Sequence, residues 1–282
     1  MIPVFYRPEQ NAPVTSYSPS SDKPRQVVAD WQGKFDIDVQ TFEPVSRHDL
    51  YLAHDPAYVD GVLNLDIANG FGNHDPKVAN SLIYTTGSML AAAEHAVLHR
   101  TTACSPTSGF HHAGYDFGGG FCTFNGLMVT AMKLKKDGLV NTVGVLDCDM
   151  HYGNGTDDII KRLGIDWIKH HTFGKHFTTR DSIGSMGKRF YEWLEKSIAD
   201  VFACDLVLYQ AGADPHIQDP LGGVLTDKQM FHRDRMVFEQ ARNIRKPLAW
   251  NLAGGYRRDA NDTIKPVLKT HMTTLKTCLS EY

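Results

Sequence analysis

The sequence contains no run approaching the ~18 apolar residues that a membrane-spanning helix requires, so no spanning segment is expected. Its first ten residues, MIPVFYRPEQ, show neither a basic start nor a long apolar stretch, so no secretory signal is expected. Cysteine is sparse. The five, Cys104, Cys122, Cys148, Cys204 and Cys278, are scattered, odd in number and free of any C-x-x-C pair. That spacing excludes a zinc ribbon or a disulfide framework and reads as reduced thiols in a cytoplasmic protein. No charge of one sign dominates: 29 Lys and Arg face 32 Asp and Glu, for a net charge of −3. A protein that holds nucleic acid needs a basic face, so direct nucleic-acid binding is not expected. There is no internal repeat and no low-complexity tract. What remains is an ordinary globular composition, 42% hydrophobic over 282 residues, long enough for one sizeable core. Histidine, with 14 copies, is the residue in excess, and it suits metal binding and proton transfer near neutrality.

Apolar patterns alternate along the chain between strand and helix. A strand at Ile2–Tyr6 is followed by a Pro- and Ser-rich surface loop from Arg7 to Arg25. Asp75-Pro76 opens a helix to about His99, and a second helix spans Phe124–Lys136. Buried strands are expected at Thr101–Ser105, Thr142–Leu146, Asp166–His170, Leu206–Gln210 and Leu248–Leu252. Further helices are expected at Ser185–Asp200, Asp227–Arg242 and from Asp259 to about Leu279. This rhythm predicts one α/β domain over residues 1–282, with a mostly parallel sheet covered on both faces. In such sheets ligands bind beyond the carboxyl ends of the strands, so the polar residues there are the candidates.

Four stretches qualify. In Leu146-Asp147-Cys148-Asp149-Met150-His151, residues two apart point the same way, which groups two carboxylates with an imidazole. Asp149 and His151 make an O,N metal pair; helix capping is the plainer role for either Asp. Asp214, at the end of Tyr209-Gln210-Ala211-Gly212-Ala213, fits a third ligand or a turn residue before Pro215. His111-His112 fit general bases, ligands or a surface pair, and Gly118-Gly119-Gly120 lets backbone come close to something. Asn251-Leu252-Ala253-Gly254-Gly255 presents Tyr256 at a strand end.

Taken in order, these stretches resemble the histone deacetylase superfamily, the zinc-dependent acyl-lysine and acetylpolyamine amidohydrolases. The likeness includes His54-Asp55-Pro56-x-Tyr58-Val59, the paired histidines, Gly120-Phe121-Cys122-x-Phe124-Asn125, Asp147-x-Asp149-x-His151 with Gly153-Asn154-Gly155, Gly212-Ala213-Asp214 with Asp219-Pro220-Leu221-Gly222, and Gly254-Gly255-Tyr256. It implies a predominantly eight-stranded sheet of the arginase/deacetylase type. It implies one zinc ion on Asp149, His151 and Asp214, with His111 and His112 moving protons. Asp147 would orient His111, Asn154 would orient His112, and Tyr256 would donate to the oxyanion. Gly120 and Phe121 would line a narrow passage for an acylated amine arm, with Phe177 as its second aromatic wall. The binuclear ureohydrolases of the same fold carry further carboxylates where this chain has Gly153 and His216, so a single metal is expected.

Some motif positions depart from the family. Gly109-Phe110 stands where Pro-Gly is usual, Tyr152 where a second His is usual, and Gly126 where an Asn is usual. The common Pro-Gly-x-Gly loop is missing between His170 and Asp181. Relatives often hold a structural potassium ion near the position of Asp147, and the alignment puts the ammonium of Lys169 in that ion's place. The expected activity is removal of an acyl group, acetyl first, from a lysine-like amine. The alternatives are an acetylpolyamine or other small-molecule deacylase, and a catalytically silent acyl-lysine binder. Loss of Tyr256 or Asp214 would be the binder's signature, and both are present.

Overall fold

A computed structural model describes residues 1–178 and 183–282, with the side chains of 183–186 left aside. Seven strands, β1 (Pro3–Phe5), β2 (Asp38–Gln40), β3 (Thr102–Ser105), β4 (Val143–Asp147), β5 (Ile168–Thr172), β6 (Leu206–Gly212) and β7 (Leu248–Ala253), form one sheet. Its order is β2-β1-β3-β7-β6-β4-β5, and every pairing is parallel. The sheet thus has seven strands among the described residues rather than eight. The architecture is otherwise the one expected.

Parallel strands cannot be joined by tight turns, so helices cross over both faces. On one face lie α1 (Lys23–Gln32), α7 (Ile183–Val201), α8 (Asp227–Asn243) and α9 (Lys265–Glu281). The other face carries α3 (Pro56–Leu63), α4 (Pro76–His99), α5 (Gly126–Lys136) and α6 (Asn154–Arg162), with the short α2 (Arg47–Leu50) beside them. Alternation within β6 serves the two cores: Val207 and Tyr209 pack with Trp250 and Phe238, while Leu206 and Leu208 pack with Val143 and Leu127. Helix α4 begins where the sequence places it. Asp75 accepts a hydrogen bond from the Lys77 amide at 2.7 Å, and Pro76 sits where a missing N–H costs nothing.

Two elements begin earlier or later than their patterns suggest. The expected Arg7–Arg25 loop ends in the first turn of α1, where Lys23 is fully buried. Helix α9 starts at Lys265 rather than Asp259, because Asp259 closes a turn by accepting from Thr263 and Asn261. No described helix is long and apolar enough to cross a membrane.

Candidate metal centre and its proton-transfer pair

The carboxyl ends of β3, β4, β6 and β7, neighbours in the sheet, bring the candidate residues together. Just beyond β4, Asp149 and His151 meet Asp214 from beyond β6, with one ligand-type atom of each within 4.8 Å of the others. His151 Nδ1 lies 3.0 Å from Asp149 Oδ1 and 2.9 Å from Asp214 Oδ2. Separations of this size suit an ion about 2.0–2.2 Å from each donor. The surroundings support that reading. The Met150 amide donates to Asp214 Oδ1 at 3.0 Å, which leaves Oδ2 turned to the cluster. Oδ2 is buried and, although near His151 Nδ1, has no well-directed hydrogen bond. The single Nδ1 hydrogen of His151 serves Asp149. Gly254, at φ 48°, closes over the same carboxylate, and a Cβ there would lie 2.2 Å from Asp214 Cγ.

The electrostatics ask for a cation. Burial, then the Asp149 charge, pushes the Asp214 carboxyl up to about 7. Burial works against ionised Asp149 as well, but His111 and His151 hold it far below the usual carboxylate range. Burial also opposes a charge on His151, yet the adjoining Asp149 and Asp214 carboxylates raise it to about 11. Here a proton does what a bound metal would do.

Beside the cluster, the rings of His111 and His112 stand 4.1 Å apart. His111 Nδ1 lies 2.7 Å from Asp147 Oδ2, and His112 Nδ1 lies 2.6 Å from Asn154 Oδ1. Asp147 and Asn154, the partners that the resemblance implies, thus lie within hydrogen-bond distance of the two rings. Asp147 is itself fixed: its Oδ1 accepts from Gln210 Nε2 at 2.8 Å and from the Asp149 amide at 3.1 Å. The pair diverges in basicity. Burial opposes charge on His111, but Asp147 and Asp149 outweigh it and raise the ring to about 9. Burial and the His111 charge push His112 down to about 4. Buried His54 braces the turn that carries them: its Nδ1 is 2.8 Å from the Gly114 carbonyl, and its Nε2 accepts from the Asn125 amide at 2.8 Å.

The Tyr256 ring stands 6.3 Å from the His151 ring, edge-on, and its backbone amide donates to Asp219 Oδ2 at 2.8 Å. Phe121 flanks it at 6.2 Å and is backed by Phe71 at 5.6 Å. Gly120 touches His112 so closely that a Cβ would lie 2.4 Å from the ring. Phe110 and Phe121 hold φ values of 102° and 65°, strained backbone of a kind concentrated at working sites.

Two expectations fail. Phe177 is buried in the core against Phe173, Phe190 and Trp193, so it is no wall of the passage. An aromatic residue that does stand beside Tyr256 is one that sequence reading missed. Tyr17, 57% exposed, stacks on Tyr256 with ring centroids 6.0 Å apart and planes at 25°. Lys169 does not face Asp147. Its ammonium pairs with Asp200 at 2.6 Å on the outer face of β5, where its neighbour but one, His171, also meets Asp200. His216, in a ureohydrolase ligand position, is engaged by Asp227, Arg257 and the Gln218 amide. Buried Lys23 was also missed. Its ammonium, pushed down to about 8 by burial, donates to the Gly254 carbonyl at 2.5 Å and ties α1 to the Tyr256 loop.

At the strand ends of a single parallel α/β sheet, an Asp-His-Asp cluster that could hold a metal ion meets a histidine pair. A model of the histone deacetylase domain matches residues 25–177 and 164–270, and the chain belongs to that family. A probable deacetylase of Methanothermobacter thermautotrophicus is 28% identical over 171 residues, 52% of each chain. Acetylpolyamine amidohydrolase 2 of Pseudomonas aeruginosa is 43% identical over 154 residues, covering 46% of this chain and 44% of that protein. These two matches thus span about half of each relative. The crystal structure of an acetylpolyamine aminohydrolase from Burkholderia pseudomallei superimposes with a TM-score of 0.74 at 15% identity, covering 99% of this chain and 98% of that one. That likeness establishes the fold.

The mouth of the site gives an early prediction. Tyr17→Ala should raise KM for a linear acylated amine by about 2- to 10-fold, the worth of one aromatic contact, and leave kcat and bound metal unchanged. Steady-state kinetics beside Tyr17→Phe, which keeps the ring, would check this. Equal loss in both variants would assign the effect to the hydroxyl instead.

Proposed function

We propose that the protein is a zinc-dependent amidohydrolase that removes an acyl group, acetyl first, from a lysine-like or polyamine-like amine. The observation that carries this is the convergence of Asp149, His151 and Asp214 beside two histidines of opposite basicity. Those three residues would hold the ion, and their buried, partly unpaired oxygens fit it. When bound, the metal supplies Lewis-acid polarisation of the amide carbonyl and a more acidic water.

The remaining steps fall to the chain. His112, kept neutral, gives its Nδ1 hydrogen to Asn154, so its other nitrogen is free to take the proton of the attacking water. His111, which keeps its proton near neutrality, gives it to the leaving amine, and Asp147 holds the ring in line. Tyr256, its hydroxyl pushed above the normal range by burial and then by the Asp149 charge, stays protonated and donates to the developing oxyanion. Phe121 and Tyr17 border the entry of the alkyl arm, and Gly120 leaves room at His112.

The test is a panel of acylated lysine peptides and acylated polyamines, assayed before and after dialysis against a chelator. Turnover that vanishes on chelation and returns with zinc is expected on at least one class. The partial match to an acetylpolyamine amidohydrolase is the reason to include both. No turnover on any acyl chain would favour a silent acyl-lysine binder.

A further inference from the structure

His170 is a buried imidazole that the proposed reaction does not use. It lies on β5 two residues before Thr172, whose hydroxyl accepts from the Gly153 amide, so both side chains face the loop that carries the metal ligands. The His170 side chain is only 3% exposed, and its Nδ1 lies 2.7 Å from Asp157 Oδ1. Asp157 also accepts from the Tyr152 hydroxyl and from Lys175 Nζ. Burial opposes its ionisation, but bonds from His170 and Tyr152 keep the carboxyl well below the usual range. An ionised carboxylate accepts, so His170 Nδ1 carries the hydrogen and Nε2 turns its lone pair the other way.

That Nε2 is buried and has no hydrogen-bond partner among the described residues. What it faces is read from Gly153: a Cβ there would lie 2.6 Å from Asp147 Oδ2 and 3.2 Å from His170 Nε2. Because Gly153 carries no side chain, the carboxylate oxygen and the imidazole nitrogen both come close to one point beside its Cα. Both are acceptors. A buried acceptor normally finds a donor, and water has two hydrogens to give.

We propose that His170 is a positioning residue for the Asp147–His111 pair, acting through one water that donates to both His170 Nε2 and Asp147 Oδ2. Asp147 Oδ1 already takes two hydrogen bonds, and Oδ2 takes the His111 hydrogen. A second donor on Oδ2 adds to the two hydrogen bonds that already restrain the carboxylate and, through it, bears on the direction of the His111 ring. A continuous chain then runs from Tyr152 at the rim through Asp157, His170 and Asp147 to His111. The inference rests on the catalytic roles proposed above for Asp147 and His111.

The experiment compares His170→Ala with His171→Ala, whose side chain leaves the opposite face of β5. In the metal-loaded enzyme, His170→Ala should lower kcat about 10- to 100-fold at unchanged KM and metal content, and added imidazole should restore part of it. His171→Ala should do neither. Independently of turnover, the low-field proton on His111 Nδ1, identified by its loss in His111→Ala, should shift in His170→Ala and not in His171→Ala. Should His170→Ala fail to fold, His170→Phe keeps a ring at that position without Nε2 and should move the same proton. An unmoved His111 proton overturns the inference. So does a kcat loss that follows metal loss and resists imidazole, or a His111 proton whose position depends on potassium rather than on His170. If the wild type hydrolyses no acylated amine, the functional reading fails, and the proton shift alone decides the positioning role.

Discussion

Asp149→Asn should cost the protein both its metal and its turnover, whereas Tyr256→Phe should cost turnover alone. The difference follows from what each side chain touches. Asp149 Oδ1 accepts from the amide and the ring of His151 and faces His111 Nε2 at 3.7 Å, so its charge organises the whole cluster. A neutral amide there removes one anionic ligand and leaves Asp214 to hold a divalent ion with His151 alone. Tyr256→Phe deletes only a hydroxyl. The ring keeps its places beside Tyr17, Phe121 and His151, and its backbone amide keeps Asp219. Loss of one oxyanion donor is worth about 10²- to 10³-fold in kcat. Elemental analysis of dialysed protein, read beside kcat, separates the two variants. Equal metal loss would contradict the roles assigned to them.

The parallel sheet and its site were legible because strand ends concentrate chemistry. Continuous apolar runs at β4, β6 and β7 marked where the polar residues beyond them would converge, and Asp149, His151, Asp214 and Tyr256 do converge. The shortest elements left no such mark. Strand β2 is three half-buried residues, and α1 is masked by the Pro- and Ser-rich stretch before it. The alignment to the family slipped at β5. There a step of one residue exchanges Lys169, which faces Asp200, for His170, which faces the site. Phe177 failed for another reason: its burial is set by Phe190 and Trp193, which arrive from α7 and leave no local signal. Tyr17 stacks on a residue 239 positions away in sequence, a contact that only the folded chain reveals.

Stripped of metal, the protein should lose thermal stability as pH rises from about 6.5 to about 8. His111 and His151 fold with pKa values raised to about 9 and about 11, so each keeps a proton that the unfolded chain gives up near 6.5. Stability from such groups is fully present below pH 6.5 and drains away as pH rises through their folded values. Asp214, raised to about 7, acts in the same direction up to that pH. Lys23 opposes them only above about pH 8, where the folded ammonium has lost a proton that the unfolded chain retains, and this closes the window. His54 and His112, both lowered to about 4, act below 6.5 and fall outside it. Each fully shifted group contributes at most about 1.4 kcal/mol per pH unit. His151 contributes less, because a third of its side chain meets solvent. The expected fall is a few degrees of Tm per pH unit. Zinc held by the cluster would replace those protons and bind more tightly as they leave, so the loaded protein should show a flat or rising Tm over the same range. Calorimetry of chelated and zinc-loaded samples from pH 6.5 to 8 measures both slopes, and parallel curves would sink the idea that proton and metal compete for one charge site.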